Sequence, residues 1–317
     1  MEKLDRKYEI LKKLMIFTKI IENFIIINQS YPKYPPIFII GPARTGTTVI
    51  YQCLSYSFKV SYFSNIHSFF SKSPVTVSLI TSLFNRCNPP KLFQSKYGKT
   101  KGIFSQSQGY QIWRRWFPKR GGKTKKVNLS EKQKKQIYGT ISAFEKIYRF
   151  PFVNKWQGLC LNLNRISDVF PNALYIRVKR NYLQTAQSIL IGRIEIFNNP
   201  NKSFTRVTES YDNYKNMDYI NQVCGYLFSI EEKIDDDCKK IGNEKFFNIT
   251  YEEFCKNPNN FIKNFKKWYK EKTNINLKTR NITPNYFKCS KSQKLNDQDF
   301  NDLKICIRKY FDNEKKD

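Results

Sequence analysis

The sequence is short of acid over a long continuous stretch. From residue 23 to residue 130 there is no Asp or Glu, while the same stretch carries 16 Lys and Arg residues. The chain of 317 residues holds 56 Lys and Arg against 26 Asp and Glu, a formal charge of +30, so about half of the excess lies in one third of the chain. Hard divalent cations need oxygen ligands, and paired-carboxylate chemistry needs two acids. The stretch can therefore supply neither a carboxylate-bound Mg²⁺ or Ca²⁺ site nor such a pair. His67 is the only histidine. Cys53, Cys87, Cys160, Cys224, Cys238, Cys255, Cys289 and Cys306 form no CxxC pair, which removes the usual zinc spacings. In a chain this long, with no recognisable signal peptide, they read as reduced thiols of a cytoplasmic protein. The apolar run from Leu14 to Ile27 is short and broken by Lys19 and Glu22, so it is no membrane span. It reads as an amphipathic helix packed on the body, with peripheral membrane contact as the alternative.

What is present is enough to fold. Hydrophobic residues make up 40% and aromatics 16% of the chain, far from the composition of a disordered polycation. No repeat and no Gly/Ser-rich or Pro-rich linker divides it, so residues 1–317 read as one domain, with a core of about 36–270, an N-terminal helix within 1–30 and a C-terminal helix at 299–312. The run Ile37 to Ile40, bounded by Pro36 and Gly41, has the pattern of a buried parallel strand, and Thr47 to Leu54 that of a helix. Ser130 followed by Gln133 predicts a capped helix running to about Tyr148. Strands are expected at 173–178 and 245–249, and helices at 182–191, 214–239, 260–269 and 299–310. Residues 87–126, basic and aromatic with five glycines, read as loops and lid-like elements. Strands separated by helices give a three-layer α/β fold with a parallel central sheet.

The sharpest local signal is Gly41-Pro42-Ala43-Arg44-Thr45-Gly46-Thr47-Thr48 between the first strand and its helix. Backbone N–H groups at such a turn, backed by a helix N-terminus, cradle a phosphate. The spacing from Gly41 to Gly46 is that of a P-loop, but Thr47 stands where an NTPase carries its Lys, and the cation has moved to Arg44. With no acid nearby to hold Mg²⁺, triphosphate hydrolysis is disfavoured.

This loop resembles the 5′-phosphosulfate loop of the sulfotransferases. A second segment strengthens the resemblance: Phe170-Pro171-Asn172-Ala173-Leu174-Tyr175-Ile176-Arg177-Val178-Lys179-Arg180-Asn181, with Ser188 eight residues beyond Arg180. Tyr251-Glu252-Glu253-Phe254, followed by Asn257-Pro258, is a weaker echo read as structural. Together these cover about residues 36–270. The resemblance implies a P-loop NTPase-like fold and a metal-independent transfer of sulfuryl from 3′-phosphoadenosine 5′-phosphosulfate (PAPS) to an acceptor hydroxyl, with carbohydrate among the acceptor classes. It implies that Arg44, Thr45, Gly46, Thr47 and Thr48 hold the 5′ side of the donor and that Arg180 and Ser188 hold its 3′-phosphate.

A base is still needed. Branches of the family place a Glu about twenty residues after the loop cation. Here the acid-free stretch leaves His67, 23 residues beyond Arg44, as the group with a near-neutral pKa. The segment Val153-Asn154-Lys155-Trp156-Gln157 resembles that of the family's active-site lysine, so Lys155 is expected to stabilise the transferring group, against a solvated surface lysine as the alternative. Gln157, two residues on, cannot serve as a base. Lys288, Lys291 and Lys294 are candidates to close over the donor. Two other readings stay open: a P-loop nucleotide kinase or NTPase, and a non-catalytic basic protein that uses Trp113-Arg114-Arg115-Trp116-Phe117 and its flanks on nucleic acid or an anionic membrane. No nucleic-acid-binding fingerprint accompanies that segment, so a specific nucleic-acid partner is not expected.

Overall fold

A computed structural model describes residues 18–84, 87–118 and 128–312. After a helix at 18–27, here α1, come β1 (Ile37–Ile40), α2 (Thr47–Ser57), α3 (Asn65–Phe69), α4 (Pro74–Ser82), α5 (Tyr110–Trp113) and α6 (Glu131–Tyr148). The second half runs β2 (Val153–Lys155), α7 (Leu163–Val169), β3 (Leu174–Lys179), α8 (Tyr182–Phe197), α9 (Tyr219–Ile241), β4 (Phe246–Thr250), α10 (Tyr251–Lys256), α11 (Pro258–Thr273) and α12 (Asp297–Phe311).

The strands form one parallel sheet in the order β2-β1-β3-β4, with Ile39 opposite both Lys155 and Ile176. All four β1 residues are buried, as a strand covered on both faces requires. Side-chain contacts assign the layers. Phe247 on β4 packs on Phe261, Phe265 and Trp268 of α11, and Phe58, just past α2, meets Phe265. On the opposite face Arg177 of β3 pairs with Glu231 and Asp235 of α9. The helices therefore cover both faces, as the three-layer expectation has it. Because every strand points the same way, the C-terminal ends of β1, β2 and β3 meet along one edge, where a doubly wound sheet places its ligand.

Local chemistry sets the boundaries. Ser130 caps α6 with the expected box, its hydroxyl accepting from Gln133 N at 3.3 Å while its own N–H donates to Gln133 Oε1 at 2.9 Å. α9 begins at Tyr219 rather than at 214, because Asp218 takes the backbone N–H groups of Ile220 and Asn221 at 2.9 and 3.0 Å. β2 is a strand that the sequence does not announce, three residues with too little length for a pattern.

One other expectation is corrected. Trp113, Trp116 and Phe117 are buried in the core, with Trp113 stacked on Trp156 at 5.5 Å, so these rings present no stacking surface for bases. Glu22, which breaks the apolar run, is itself buried. It accepts from Thr76 N at 2.8 Å and lies 3.8 Å from Arg115, tying α1 to α4 and to the segment after α5. Ile26 packs inward, whereas Ile20, Phe24 and Ile27 are exposed. Residues 14–17 of the run, along with Lys119, Arg120, Lys123, Lys125 and Lys126 of the basic stretch, lie outside the described residues. No helix among the described residues is long and apolar enough to cross a membrane.

Candidate active site

The loop after β1 is held in a shape that ordinary side chains resist. Gly46 has φ 87°, and a Cβ there would stand 2.1 Å from the ring of Tyr251; at Gly41 a Cβ would stand 2.5 Å from the Val178 carbonyl. Arg44 itself adopts φ 70°, a left-handed conformation that costs roughly 1–2 kcal/mol in an L-residue. Successive residues in such conformations turn their N–H groups to one side. Behind them stands the N-terminus of α2, which has no capping side chain and no acid in its first turn, unlike the capped α6, α8 and α9. Its positive end is left for an anion.

Within the loop the threonines divide their work. Thr45 is buried and its hydroxyl donates to the Pro42 carbonyl at 2.8 Å, so that side chain holds the loop closed. Thr47 is buried against Gly41, and half-exposed Thr48 lies beside Gly98. Ala43 N–H donates to the Tyr226 hydroxyl at 3.1 Å, fixing the outer part of the loop on α9.

Residues far apart in sequence converge here. Arg180, just beyond the end of β3, donates from Nη1 to the Arg44 carbonyl at 2.8 Å, and Arg44 Nε donates to Ser188 Oγ at 2.9 Å. Asn181 caps α8 and donates its own N–H to Glu252 at 3.2 Å, which sets the helix so that Ser188, in its second turn, reaches the loop. Lys155 ends β2 next to β1 and is 8% exposed. Burial pulls its pKa down to about 8, and Arg44 pulls in the same direction. It is no solvated surface lysine. Burial likewise lowers the pKa of Arg44, and Arg180 adds to the effect. Three cations thus face one another across the sheet edge.

Other contacts were not foreseen. Tyr251, read from sequence as structural, sits beneath the Arg180 guanidinium at 4.9 Å and against Gly46. The Arg44 guanidinium lies 5.0 Å from the Tyr97 ring, and the Tyr97 hydroxyl donates to Glu195 of α8. The charge of Glu195 acts on Arg44. The chain after α11 is clasped to the same helix, with Lys291 O accepting from Gln184 and Lys294 N donating to Gln187 at 2.6 Å.

His67 is not part of this convergence. It is 2% exposed, its Nδ1 accepts from Ser64 N–H at 3.0 Å, its Nε2 lies 3.1 Å from Ser78 Oγ, and its ring packs on Phe144. It completes the capping box of α3. Burial drives its pKa down to about 3. The expected base is thus a structural histidine, since both ring nitrogens are engaged and no acceptor can reach them. Its folded pKa lies below the unfolded 6.5, so the stability tied to its neutral form is complete above 6.5 and is lost as pH falls toward 3, by at most about 1.4 kcal/mol per pH unit. His67→Ala is expected to cost about 2–4 kcal/mol in denaturant melts at pH 8 and to flatten that acid limb, while turnover per folded molecule is unchanged.

Among the described residues no group of three or more His, Cys, Asp and Glu side chains is placed to hold a metal ion. The parallel sheet, the uncapped α2 and the cations at its edge define an α/β fold with a P-loop-like turn after β1. The Sulfotransferase family matches residues 35–270, and the chain belongs to that family. Among solved structures, the sulfotransferase STF9 of Mycobacterium avium is 13% identical, with a TM-score of 0.52 over 83% of this chain and 72% of its own. The sulfotransferase STF1 of Mycobacterium tuberculosis H37Rv is 11% identical, with a TM-score of 0.51 over 86% of this chain and 71% of its own. These likenesses carry the fold. No curated protein sequence matches the chain.

Proposed function

We propose that the protein transfers the sulfuryl group of PAPS to an acceptor hydroxyl by in-line displacement. The observation that carries this reading is the joining of Arg180, Arg44 and Ser188 through bonds of 2.8 and 2.9 Å although they lie 136 and 144 positions apart. Cations buried together repel one another, and an anion with two separated phosphates relieves that repulsion. The loop N–H groups and Arg44 hold the 5′-phosphate, and Arg180 with Ser188 holds the 3′-phosphate. Lys155 stabilises the negative charge that moves onto the bridging oxygen as the S–O bond breaks. The acceptor oxygen attacks sulfur, the 5′-phosphate leaves, and the hydroxyl proton passes to a carboxylate. Glu195, oriented by Tyr97, takes over that role from His67. The acceptor class in this reading is a hydroxyl compound, glycan, lipid or small molecule.

Lys155 serves this chemistry in its protonated form. With the free-enzyme pKa pulled down to about 8, kcat/KM should fall as pH rises through that value. The bound donor adds negative charge and raises the Lys155 pKa, so the limb in kcat lies higher. Release of adenosine 3′,5′-bisphosphate from PAPS, with cell extract as the acceptor source, measures both. Lys155→Met should lose about 100- to 1000-fold in turnover and the alkaline limb with it. Full turnover in Lys155→Met would remove that residue from the site, and release that ignores added acceptor would contradict sulfuryl transfer.

A further inference from the structure

Most arginines buried in this fold have partners. Arg177 has Glu231 and Asp235, Arg115 has Glu22, and Arg193 donates to the Pro200 carbonyl and to Gln222 Oε1 at 3.0 and 3.1 Å. Arg206, in the segment between α8 and α9, has the Tyr110 phenol beside it but no carboxylate or carbonyl partner among the described residues. It is 7% exposed, and neither Nη1 nor Nη2 has a hydrogen-bond partner among the described residues. Its guanidinium is flanked by Tyr110 and Trp156, each ring centre 4.9 Å away. Tyr110 in turn carries a second cation, Arg114, at 5.4 Å, and that charge opposes Arg206. Burial makes its charge costly, with the Tyr110 phenol as a partial offset.

The surroundings of Arg206 adjoin the catalytic edge of the sheet. Trp156 follows Lys155 directly. Tyr110 follows Gly109, and the neighbouring Gln108 accepts from Gln157 N at 3.3 Å, so segments 108–110 and 155–157 frame the Lys155 region and Arg206 alike. An uncompensated buried cation costs stability unless something negative joins it. In the donor site that partner is a phosphate. Arg206 repeats the arrangement beside Trp156, the residue that follows the lysine of the sheet edge. Two aromatic rings flank the guanidinium, and its Nη1 and Nη2, closed off from solvent and unpaired, form a fork of the kind that matches an oxyanion bidentately.

We propose that Arg206 is the anion-recognition residue of the acceptor pocket, so that the acceptor carries an oxyanion, a carboxylate or a phosphate or sulfate ester, which docks on the Arg206 fork with Arg114 alongside. The inference rests on the sulfotransferase reading of the neighbouring donor site. It assigns the basic residues around Arg114 to substrate selection. It also selects against neutral alcohols, which leave the buried guanidinium unpaired.

The test uses the full chain saturated with adenosine 3′,5′-bisphosphate, so that the donor phosphate sites are filled. Inorganic phosphate and acetate are then titrated separately, followed by tryptophan fluorescence, to which Trp156 contributes, and by calorimetry. At least one of the two should bind saturably, and the binding should weaken about tenfold or more in Arg206→Gln and Arg206→Met, with nucleotide affinity unaltered. Arg206→Met should also unfold at the same or a higher temperature, because it deletes an unpaired buried charge. Anion affinity unchanged in both variants, or no saturable anion binding to the wild-type chain, would overturn the proposal. A lower unfolding temperature in Arg206→Met with anion binding intact would make Arg206 a purely structural clamp. If the nucleotide itself fails to bind, the donor-site reading falls separately, and the anion titration on the nucleotide-free chain still decides the role of Arg206.

Discussion

Arg180→Ala should abolish discrimination for the 3′-phosphate. Arg180 is placed by three contacts: the Arg44 carbonyl at 2.8 Å, the Tyr251 ring at 4.9 Å beneath its guanidinium, and the turn that leads from β3 into capped α8. Removing a charged partner of a bound phosphate costs about 2–4 kcal/mol, a loss of roughly 30- to 800-fold in affinity for adenosine 3′,5′-bisphosphate. Plain AMP lacks the 3′-phosphate, and its affinity should hardly change. Tyr251→Leu should show a weaker version of the same pattern, since it removes the platform and leaves the charge. Equal losses for both nucleotides in Arg180→Ala would mean that Arg180 serves the loop and not the 3′-phosphate.

Three residues earlier on the same strand, Arg177→Ala should leave donor affinity intact and damage the fold. Arg177 is buried on the α9 face, 2.7 Å from Glu231 and 2.5 Å from Asp235. Glu231 is buried, and burial already raises its pKa despite the Arg177 charge. Truncating Arg177 strands that carboxylate, at a cost of about 3–5 kcal/mol. The pH dependence follows from the sign of the shift. In the variant, the folded-state pKa of Glu231 rises further above its unfolded value, so the protonated form is favoured by folding and the deficit shrinks as pH falls. Melts at pH 5 should show a smaller difference from wild type than melts at pH 8. Pairing Arg177→Met with Glu231→Leu should recover most of the loss, because an apolar pair needs no counter-charge. A deficit independent of pH, with no recovery in the double variant, would rule out the stranded carboxylate as its cause.

These two arginines show what a linear sequence can and cannot reveal. Both stand in the segment from Ala173 to Asn181, and spacing from Ser188 singles out Arg180. The period-2 alternation of a strand then puts Arg177 on one face of the sheet and Val178 on the other. The tight turn between β1 and α2 was legible because glycines at fixed spacing between an apolar run and a helix leave few other structures open. The start of α6 was legible because a capping box is a local signal.

His67 misled because its count from Arg44 says nothing of depth. The residues between them fold into α2 and the turn after it, and α3 then buries the imidazole beneath Ser78 and Phe144. Tyr251 reads only as structural, and Glu195 and Arg206 are not singled out, for the converse reason. Each acts through a partner more than 45 residues away, Arg180, Arg44 or Tyr110 and Trp156, and no local pattern marks such a pairing. The tryptophans at 113 and 116 alternate with arginines in a way that suits a binding surface as well as a core. Stacking of Trp113 on Trp156 decides for the core.

The central claim is that the loop and the end of β3 form one site for a nucleotide carrying phosphates at both its 5′ and 3′ positions. Calorimetric titration of the chain in EDTA with adenosine 3′,5′-bisphosphate, and separately with AMP, tests it most directly. The account predicts tight binding of the bisphosphate that survives the chelator, with AMP weaker by about 30-fold or more. Equal affinity for the two nucleotides, or binding that requires added Mg²⁺, would contradict it.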